Sequence, residues 1–175
     1  TPTGDRARRN PYHGGFPVLH HARLSGAPSM TADPANPLLA AWQAPFGLPP
    51  FAAIRPEHFV TAFDVALAGH QAEVEAIAAA TEPPTLANTV IALDRSGRAL
   101  ARVQRVFFNL AASETSPELQ AIEREMAPRL ARHASAIHLD TRLFARIDAL
   151  RQQRAALSAT TDAETLRLLD RIHLD

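Results

Sequence analysis

Four side chains have the types and approximate spacing from which a metal site is built. His70 and Glu73 stand one helical turn apart, and His133 and His138 fall on a later helical pattern. A di-metal bundle needs Glu-x-x-His on two helices and a further glutamate from each of two others. Here the order is His-x-x-Glu, and histidines five residues apart diverge by about 140° around a helix. The spacing predicts no metal ligand: His70 and His133 are interpreted as core-edge histidines with one hydrogen-bonded nitrogen, and His58 as a cap or surface residue.

No other group of residues has the spacing of a catalytic site. Glu73 and Glu75 cannot share a helix face, and the same holds for Glu123 and Glu125. Ser96-Gly97 is not part of the G-x-S-x-G pattern of a nucleophile elbow. The chain has no cysteine and no His-Glu dipeptide, so it contains neither a thiol nucleophile nor a zinc-binding H-E-x-x-H motif. We therefore predict no catalytic, cofactor-binding or metal-binding residue in this chain.

The composition indicates a globular chain without a strongly charged partner. Of 175 residues 46% are hydrophobic, the formal net charge is zero and the pI is about 7.1. One sizeable core is therefore expected. Nucleic acid and anionic membranes favour a basic surplus, so neither is expected as a partner. No stretch approaches the eighteen or so consecutive apolar residues of a membrane span.

Apolar residues recur at three- and four-residue steps along most of the chain, and no stretch alternates as a β-strand does. The pattern predicts an all-α fold of about five amphipathic helices. Their predicted starts are Pro56, Thr85, a Thr115–Glu118 capping box, a cap at Asp140, and a second capping box at Thr161 and Glu164.

Two residues interrupt the predicted helices. Gly97 lies on the apolar stripe of the second helix, whose phase continues through Ser96 and Gly97, so one uninterrupted helix is predicted there. The missing side chain of Gly97 would let a neighbouring helix approach closely. Pro128 lies inside the third helix and is predicted to kink it. The fourth helix is expected to extend to Leu157.

Composition divides the chain into three parts. Residues 1–29 mix Pro, Gly, His and Arg without any period, which predicts a disordered or artefactual extension. Residues 30–55 form a proline-rich arm that is expected to pack on the helices behind it; a groove for a proline-rich partner is the alternative. Residues 56–175 form a helical domain, interpreted as truncated because the fifth pattern is still running at Asp175. The apolar residues of the arm are Trp42, Phe46, Leu48, Phe51 and Ile54.

An ordered series of phrases runs from residue 36 to residue 174. The phrases are NPLL (36–39), PPF (49–51), PEHFVTAFDVAL (56–67), AEVEAIA (72–78), PPTLANTVIALDRSG (83–97), RVQRVFFNL (102–110), ELQAIEREMAPRLARHASAIHL (118–139) and LFARIDAL (143–150). The series resembles the amino-terminal portion of the bacterial peptidyl-dipeptidases, relatives of thimet oligopeptidase and oligopeptidase A. No phrase is diagnostic alone; their order carries the resemblance.

The resemblance implies a fold and a role. The family has a two-lobed helical shell around a deep channel, and its amino-terminal helices roof a catalytic zinc. Its peptidyl-dipeptidases use zinc-activated water to remove dipeptides from the carboxy terminus of short peptides. The chain is thus expected to roof the channel, to be inactive alone and to be cytoplasmic. Its partners would be short peptides and the missing carboxy-terminal catalytic portion, with zinc in the full-length protein and no cofactor in this chain.

Three alternatives remain open at the level of sequence. The first is a free-standing helical interaction module, the second is an oligopeptidase segment of the same family that serves internal cleavage, and the third is a metal-binding bundle. The phrases RVFFNL and IHLDTRLFARIDAL favour the dipeptidase branch. A continuation of the reading frame to H-E-x-x-H would support the peptidase, whereas a stop codon after Asp175 would support the module.

Overall fold

The structure, a computed structural model, describes residues 36–114 and 116–174. The regular elements in these two ranges are helical, which confirms the all-α fold. A π-helical stretch, Leu86–Ile91, runs directly into the second helix, and 3-10 turns occur at Pro45–Gly47 and Phe51–Ala53. The α-helices are α1 (Glu57–Ala78), α2 (Ala92–Arg95), α3 (Arg98–Ser113), α4 (Pro117–His138), α5 (Thr141–Gln152), α6 (Arg154–Leu157) and α7 (Ala163–Leu174).

The second predicted helix is in fact two helices, so the prediction of one uninterrupted helix is wrong. Gly97 adopts the left-handed conformation with φ +67°, and Ser96 before it is extended. Two successive non-helical residues stop the backbone hydrogen-bond ladder, so α2 ends at Arg95 and α3 begins at Arg98. The Gly97 amide instead donates to the Glu73 carboxylate of α1 at 2.7 Å. This tertiary contact has no counterpart in the local sequence pattern.

Side-chain caps start the later helices. Ser116, which was not predicted as a cap, caps α4 through its hydroxyl. Asp140 caps α5 by accepting from two backbone amides, which confirms the prediction for that residue. Thr115, the predicted cap of α4, lies outside the described residues. The predicted cap of α7 at Thr161 is wrong, because the Asp162 carboxylate accepts from the amide of Thr165 at 2.8 Å. A carboxylate also complements the positive end of a helix.

Two further predictions concern helix length. α4 continues as one helix through Pro128, and the kink predicted there stays a prediction. The fourth predicted helix was expected to reach Leu157, but α5 ends at Gln152 and α6 is a separate turn. Gln153 between them has φ −89° and ψ 6°, outside the helical region. The chain therefore bends before α7 packs back on α5.

Two apolar clusters form the core, and α1 contributes to both. The first joins the amino-terminal half of α1 to α3, α4 and the arm, with Phe107 edge-on to Phe59 and Phe63 at centroid distances of 5.0 and 5.4 Å. The second joins the carboxy-terminal half of α1 to α5 and α7 around Leu169, which is completely buried. This arrangement fixes the positions of the side chains on the intervening part of α1, where His70 lies.

The arm contacts the helices through some of its apolar residues only. Leu38 is completely buried in the first cluster, and Arg102 of α3 donates to its carbonyl at 2.8 Å. The same guanidinium lies 4.8 Å from the centre of the Trp42 ring. Phe46, in contrast, is fully exposed, and Leu48 and Phe51 are about half exposed. The expectation that the arm's apolar residues pack on the helices is therefore wrong for Phe46 and holds only in part for Leu48 and Phe51. The segment boundaries at residues 29 and 55 stay predictions, and residues 1–35 lie outside the described ranges.

Candidate functional site

A groove of about 600 Å³ runs along the described part of the molecule beside α4. Its floor includes His70 of α1, His133 of α4 and Ser96 of the α2–α3 junction, and its far end includes His138, Asp140 and His173. Most other lining residues are apolar: Leu93, Leu100, Leu130, Ala134, Ile137, Leu143, Phe144, Ile147, Ile172 and Leu174. The groove thus combines apolar walls with a polar floor, which is the usual character of a binding cleft.

The polar floor is a chain of hydrogen bonds through two imidazoles. His133 Nε2 lies 2.9 Å from His70 Nδ1, and His70 Nε2 lies 3.2 Å from Ser96 Oγ. The two rings are tilted by 60°, with centroids 4.8 Å apart. Ser96 Oγ also donates to the Leu93 carbonyl at 2.7 Å. Residues from three parts of the chain are therefore joined at one point.

The donor and acceptor roles in this series of hydrogen bonds follow from the groups at its end. A carbonyl oxygen can only accept, so the hydroxyl hydrogen of Ser96 is used towards Leu93. Ser96 Oγ must then accept from His70 Nε2–H, which leaves Nδ1 of neutral His70 as an acceptor for His133 Nε2–H. Both rings are thereby assigned as neutral Nε2–H tautomers, an assignment made from the hydrogen-bond network.

Gly97 and Glu73 hold His70 from the other side. A Cβ added to Gly97 would lie 2.8 Å from Cε1 and 2.9 Å from Nδ1 of the His70 ring. Glu73, one turn after His70 on α1, accepts from the Gly97 amide and keeps the junction in place. The close approach predicted for Gly97 is confirmed, and the group that approaches is an imidazole.

Burial lowers the pKa of both histidines. For His70 desolvation is the largest cause, the charge of His133 acts in the same direction, and the nearby Glu73 partly opposes them. For His133 the lowered pKa has burial as its cause. The neutral forms required by the hydrogen-bond chain are thus also the forms that partial burial favours.

The acidic pairs considered in the sequence do not form acid–base pairs. Glu73 accepts a hydrogen bond from the Gly97 amide. Glu75 forms a bidentate ion pair with Arg142 of α5, in which both hydrogen bonds are 2.7 Å long. Glu125 lies 3.6 Å from Arg129 on the exposed face of α4. Glu123 is also exposed on that helix. These carboxylates therefore have structural contacts and do not converge on the groove.

The remaining histidines behave largely as the sequence predicts. His58 accepts from the Arg55 amide at 3.1 Å, as a residue in the first turn of a helix can. His138 is exposed at the end of α4, away from His133 around the helix. The contact between His70 and His133 was missed. Both histidines lie on the apolar stripes of their helices, but the sequence does not indicate which stripes meet.

Ser96 and His70 have the separation of a nucleophile and its base but not the proton arrangement. A serine nucleophile gives its hydroxyl hydrogen to the base, whereas Ser96 gives it to a carbonyl. Among residues 36–114 and 116–174, no three His, Asp or Glu side chains converge as metal ligands. A catalytic zinc requires three protein ligands, so the described residues do not fit one. No helix in these ranges is both long and apolar enough to cross a membrane.

Comparison with known proteins finds four similar sequences, of which three are described here. The chain is 41% identical over 138 residues to the dipeptidyl carboxypeptidase of Salmonella typhimurium and 39% identical over the same length to that of Escherichia coli; each match covers 79% of this chain. Oligopeptidase A of Salmonella typhimurium is 35% identical over 100 residues, or 57% of the chain. No protein-family model matches the chain.

These matches define an all-helical segment of a peptidase family. The matched part of the chain belongs to the family of dipeptidyl carboxypeptidase and oligopeptidase A, which confirms the resemblance seen in the ordered phrases. The match spans 20% of the length of the two dipeptidyl carboxypeptidases. Four-fifths of each relative therefore lies outside the comparison.

Proposed function

We propose that this chain is the amino-terminal helical part of a cytoplasmic zinc peptidyl-dipeptidase, which removes dipeptides from the carboxy terminus of short peptides. The observation that carries this proposal is the 41% identity to a dipeptidyl carboxypeptidase over 79% of the chain. The match to oligopeptidase A is lower in identity and covers 57%, which favours the dipeptidase branch. The chain's own contribution is to roof the substrate channel.

The role as a channel roof agrees with the residue types that the chain contains. Its 175 residues include no H-E-x-x-H motif, and the described residues offer no set of three metal ligands. We therefore assign the zinc and its ligands to the portion of the relatives outside the match. A helical roof restricts which substrates reach such a centre, since a narrow, roofed channel admits short unfolded peptides and excludes folded proteins.

One end of the described molecule has the surface expected of a contact with that missing portion. Leu139 and Leu174 are 78% and 84% exposed, and Phe144 is more than half exposed. Phe144 and Leu174 line the groove, and Leu139 follows His138, which also lines it. Exposed apolar residues grouped at one end favour contact with another polypeptide surface. The isolated chain is therefore expected to self-associate.

A segment exchange tests the proposal. The matched 138 residues of the Salmonella typhimurium dipeptidyl carboxypeptidase are replaced by the corresponding part of this chain, and dipeptide release from a free and a carboxy-terminally amidated peptide is measured. We expect the exchanged protein to release dipeptides only from the peptide with a free carboxy terminus, and we expect a chelator to stop this release. The 175-residue chain alone is expected to release nothing.

Each contrary result has a separate meaning. Release of dipeptides by the 175-residue chain alone would reject its role as a non-catalytic roof. Cleavage inside the amidated peptide by the exchanged protein would move the chain to the oligopeptidase branch. A soluble, folded exchanged protein without any peptidase activity would favour the interaction module. Deletion of the segment is the control, because it shows that activity depends on this part.

A further inference from the structure

The hydrogen bond between His70 and His133 is a second polar contact between α1 and α4, beside the ion pair of Arg129 with Asp64. It connects α1 to α4 at the floor of the groove, and Ser96 extends the connection to the α2–α3 junction. Both rings are half-buried and remain accessible to protons. We propose that this pair is a pH-sensitive latch: in the neutral form it holds α4 against α1, and proton uptake by both rings opens the groove.

The number of protons on the pair determines whether the latch can close. With both rings neutral, His133 Nε2–H donates to the bare Nδ1 of His70. A single added proton is tolerated, because His70 Nδ1–H can donate to His133 Nε2 if the latter ring changes tautomer. With both rings charged, two N–H groups face each other across 2.9 Å and no hydrogen bond is possible. Two positive rings with centroids 4.8 Å apart also repel each other.

The groups around the pair do not neutralise two charges. Glu73 of α1 is the carboxylate whose charge acts on His70, but its single negative charge cannot balance two imidazolium rings. The α2–α3 junction faces His70 with Ser96 and Gly97, which are uncharged. Around the pair, α3 adds Leu100 and Gln104 to the groove, and α5 adds Leu143, Phe144 and Ile147.

Farther along the groove the charged groups have partners of their own. Asp140 pairs with Arg142 at 2.9 Å. His173 of α7 lies 3.4 Å from Asp148. His138 is exposed and lies on the part of α4 beyond His133. None of these contacts places a second carboxylate against the histidine pair, so acid acts on the latch directly.

The lowered pKa of each histidine sets the direction of the effect. A histidine in the unfolded chain titrates near 6.5, and the pKa of His70 and the pKa of His133 in the folded chain are both lower than this. The unfolded or opened state therefore binds more protons below pH 6.5. Stability then rises with pH in that interval and falls as the pH drops below about 6.5. The latch is therefore fully effective above this value and fails progressively in acid.

The first experiment measures unfolding of the 175-residue chain in urea from about pH 8 to about pH 5. For each proton bound on unfolding, the unfolding equilibrium constant rises about tenfold when the pH falls by one unit. Two histidines therefore raise it at most about a hundredfold per pH unit. We expect a clear increase below about pH 6.5 in the wild type. Amide exchange in residues 130–138, corrected for its intrinsic pH dependence, should accelerate in the same interval before the chain unfolds globally.

A conservative variant separates titration from packing. In His133→Gln the amide can donate to neutral His70 or accept from charged His70, so the contact survives while one titrating ring is lost. We expect its stability and its exchange in residues 130–138 to depend much less on pH. His138→Gln is the matched control, five residues later on the same helix, and should keep the wild-type profile.

Two outcomes would overturn the latch. One is a His133→Gln profile identical to the wild type; the other is an equal flattening in His138→Gln. If His133→Gln does not fold, the imidazole resonances of the wild-type chain decide instead. Both His70 and His133 should titrate below 6.5 and be Nε2–H tautomers when neutral, and titration of either at or above 6.5 would reject the proposal.

Discussion

Gly97 is the residue at which backbone conformation and side-chain packing constrain each other most directly. Its φ of +67° lies in the left-handed region, where a side chain strains the backbone. An added Cβ would also contact the His70 ring at 2.8 Å, closer than van der Waals contact permits. A larger residue therefore has to displace the ring, rotate the backbone, or both. Glycine at this position is required by the local structure.

The first prediction compares two glycines in one chain. Gly97→Ala should reduce the free energy of unfolding by about 1–3 kcal/mol, and Gly97→Leu by at least as much. Gly69 lies in the middle of α1, and nothing lies within 4 Å of the Cβ it would carry. Gly69→Ala should therefore stabilise the chain by about 0.5–1 kcal/mol through helix propensity. Urea denaturation monitored by circular dichroism measures both, and stabilisation by Gly97→Ala would contradict the close contact.

At the scale of elements, Trp42 and Arg102 fix the arm on the helices. The indole N–H of Trp42 donates to the Pro37 carbonyl at 2.8 Å, and Arg102 stacks over the ring. Arg102 also donates to the Leu38 carbonyl, so one guanidinium holds two points of the arm on α3. A planar guanidinium with five N–H donors suits a contact over an aromatic face and a hydrogen bond to backbone at the same time.

The second prediction tests this attachment. Trp42→Ala should destabilise the chain by about 1–3 kcal/mol, because it removes apolar burial and the cation–π contact together. Phe46→Ala is the control from the same arm; Phe46 is fully exposed, so its removal should change stability by less than about 0.5 kcal/mol. Circular dichroism in urea suits both variants, since one lacks the tryptophan. Equal effects would show that Trp42 does not attach the arm.

The helical pattern predicted the elements well where the signal was local. The periodic stripes gave the all-α fold, and the cap at Asp140 is observed. The break at Gly97 was missed because the apolar phase continues across it, while the contact that fixes it is made by Glu73, 24 positions earlier. Periodicity describes one helix at a time and contains no information on which helix faces another.

The candidate site shows the same limit. His70 and His133 were correctly placed at the edge of the core, each with a hydrogen-bonded nitrogen, but their mutual bond spans 63 positions. Similarly, the buried Arg146 of α5 donates to the carbonyls of Ala80 and Glu82 beyond α1. Both contacts depend on how distant parts of the chain pack together. Such contacts follow from the assembled core and cannot be read from spacing along the chain.

At the scale of the whole molecule, α1 is shared by both apolar clusters. Phe59 and Phe63 lie in the first cluster, and Val74 and Ile77 lie in the second. Loss of the second cluster exposes the apolar face of α1 near its carboxy end and weakens the helix on which the first cluster depends. Because helix formation in proteins depends mainly on packing of its apolar face, the two clusters should unfold together.

The final prediction measures this coupling with the only tryptophan. Trp42 packs on the first cluster, so its fluorescence reports unfolding there. Leu169 is completely buried in the second, and Leu169→Ala should reduce stability by about 2–5 kcal/mol by leaving a cavity. If the clusters are coupled through α1, the urea midpoint from Trp42 fluorescence must fall as far as the midpoint from circular dichroism. Leu139→Ala, at a site that is 78% exposed, should move neither midpoint; a Leu169→Ala variant with an unchanged fluorescence midpoint would show that the clusters unfold independently.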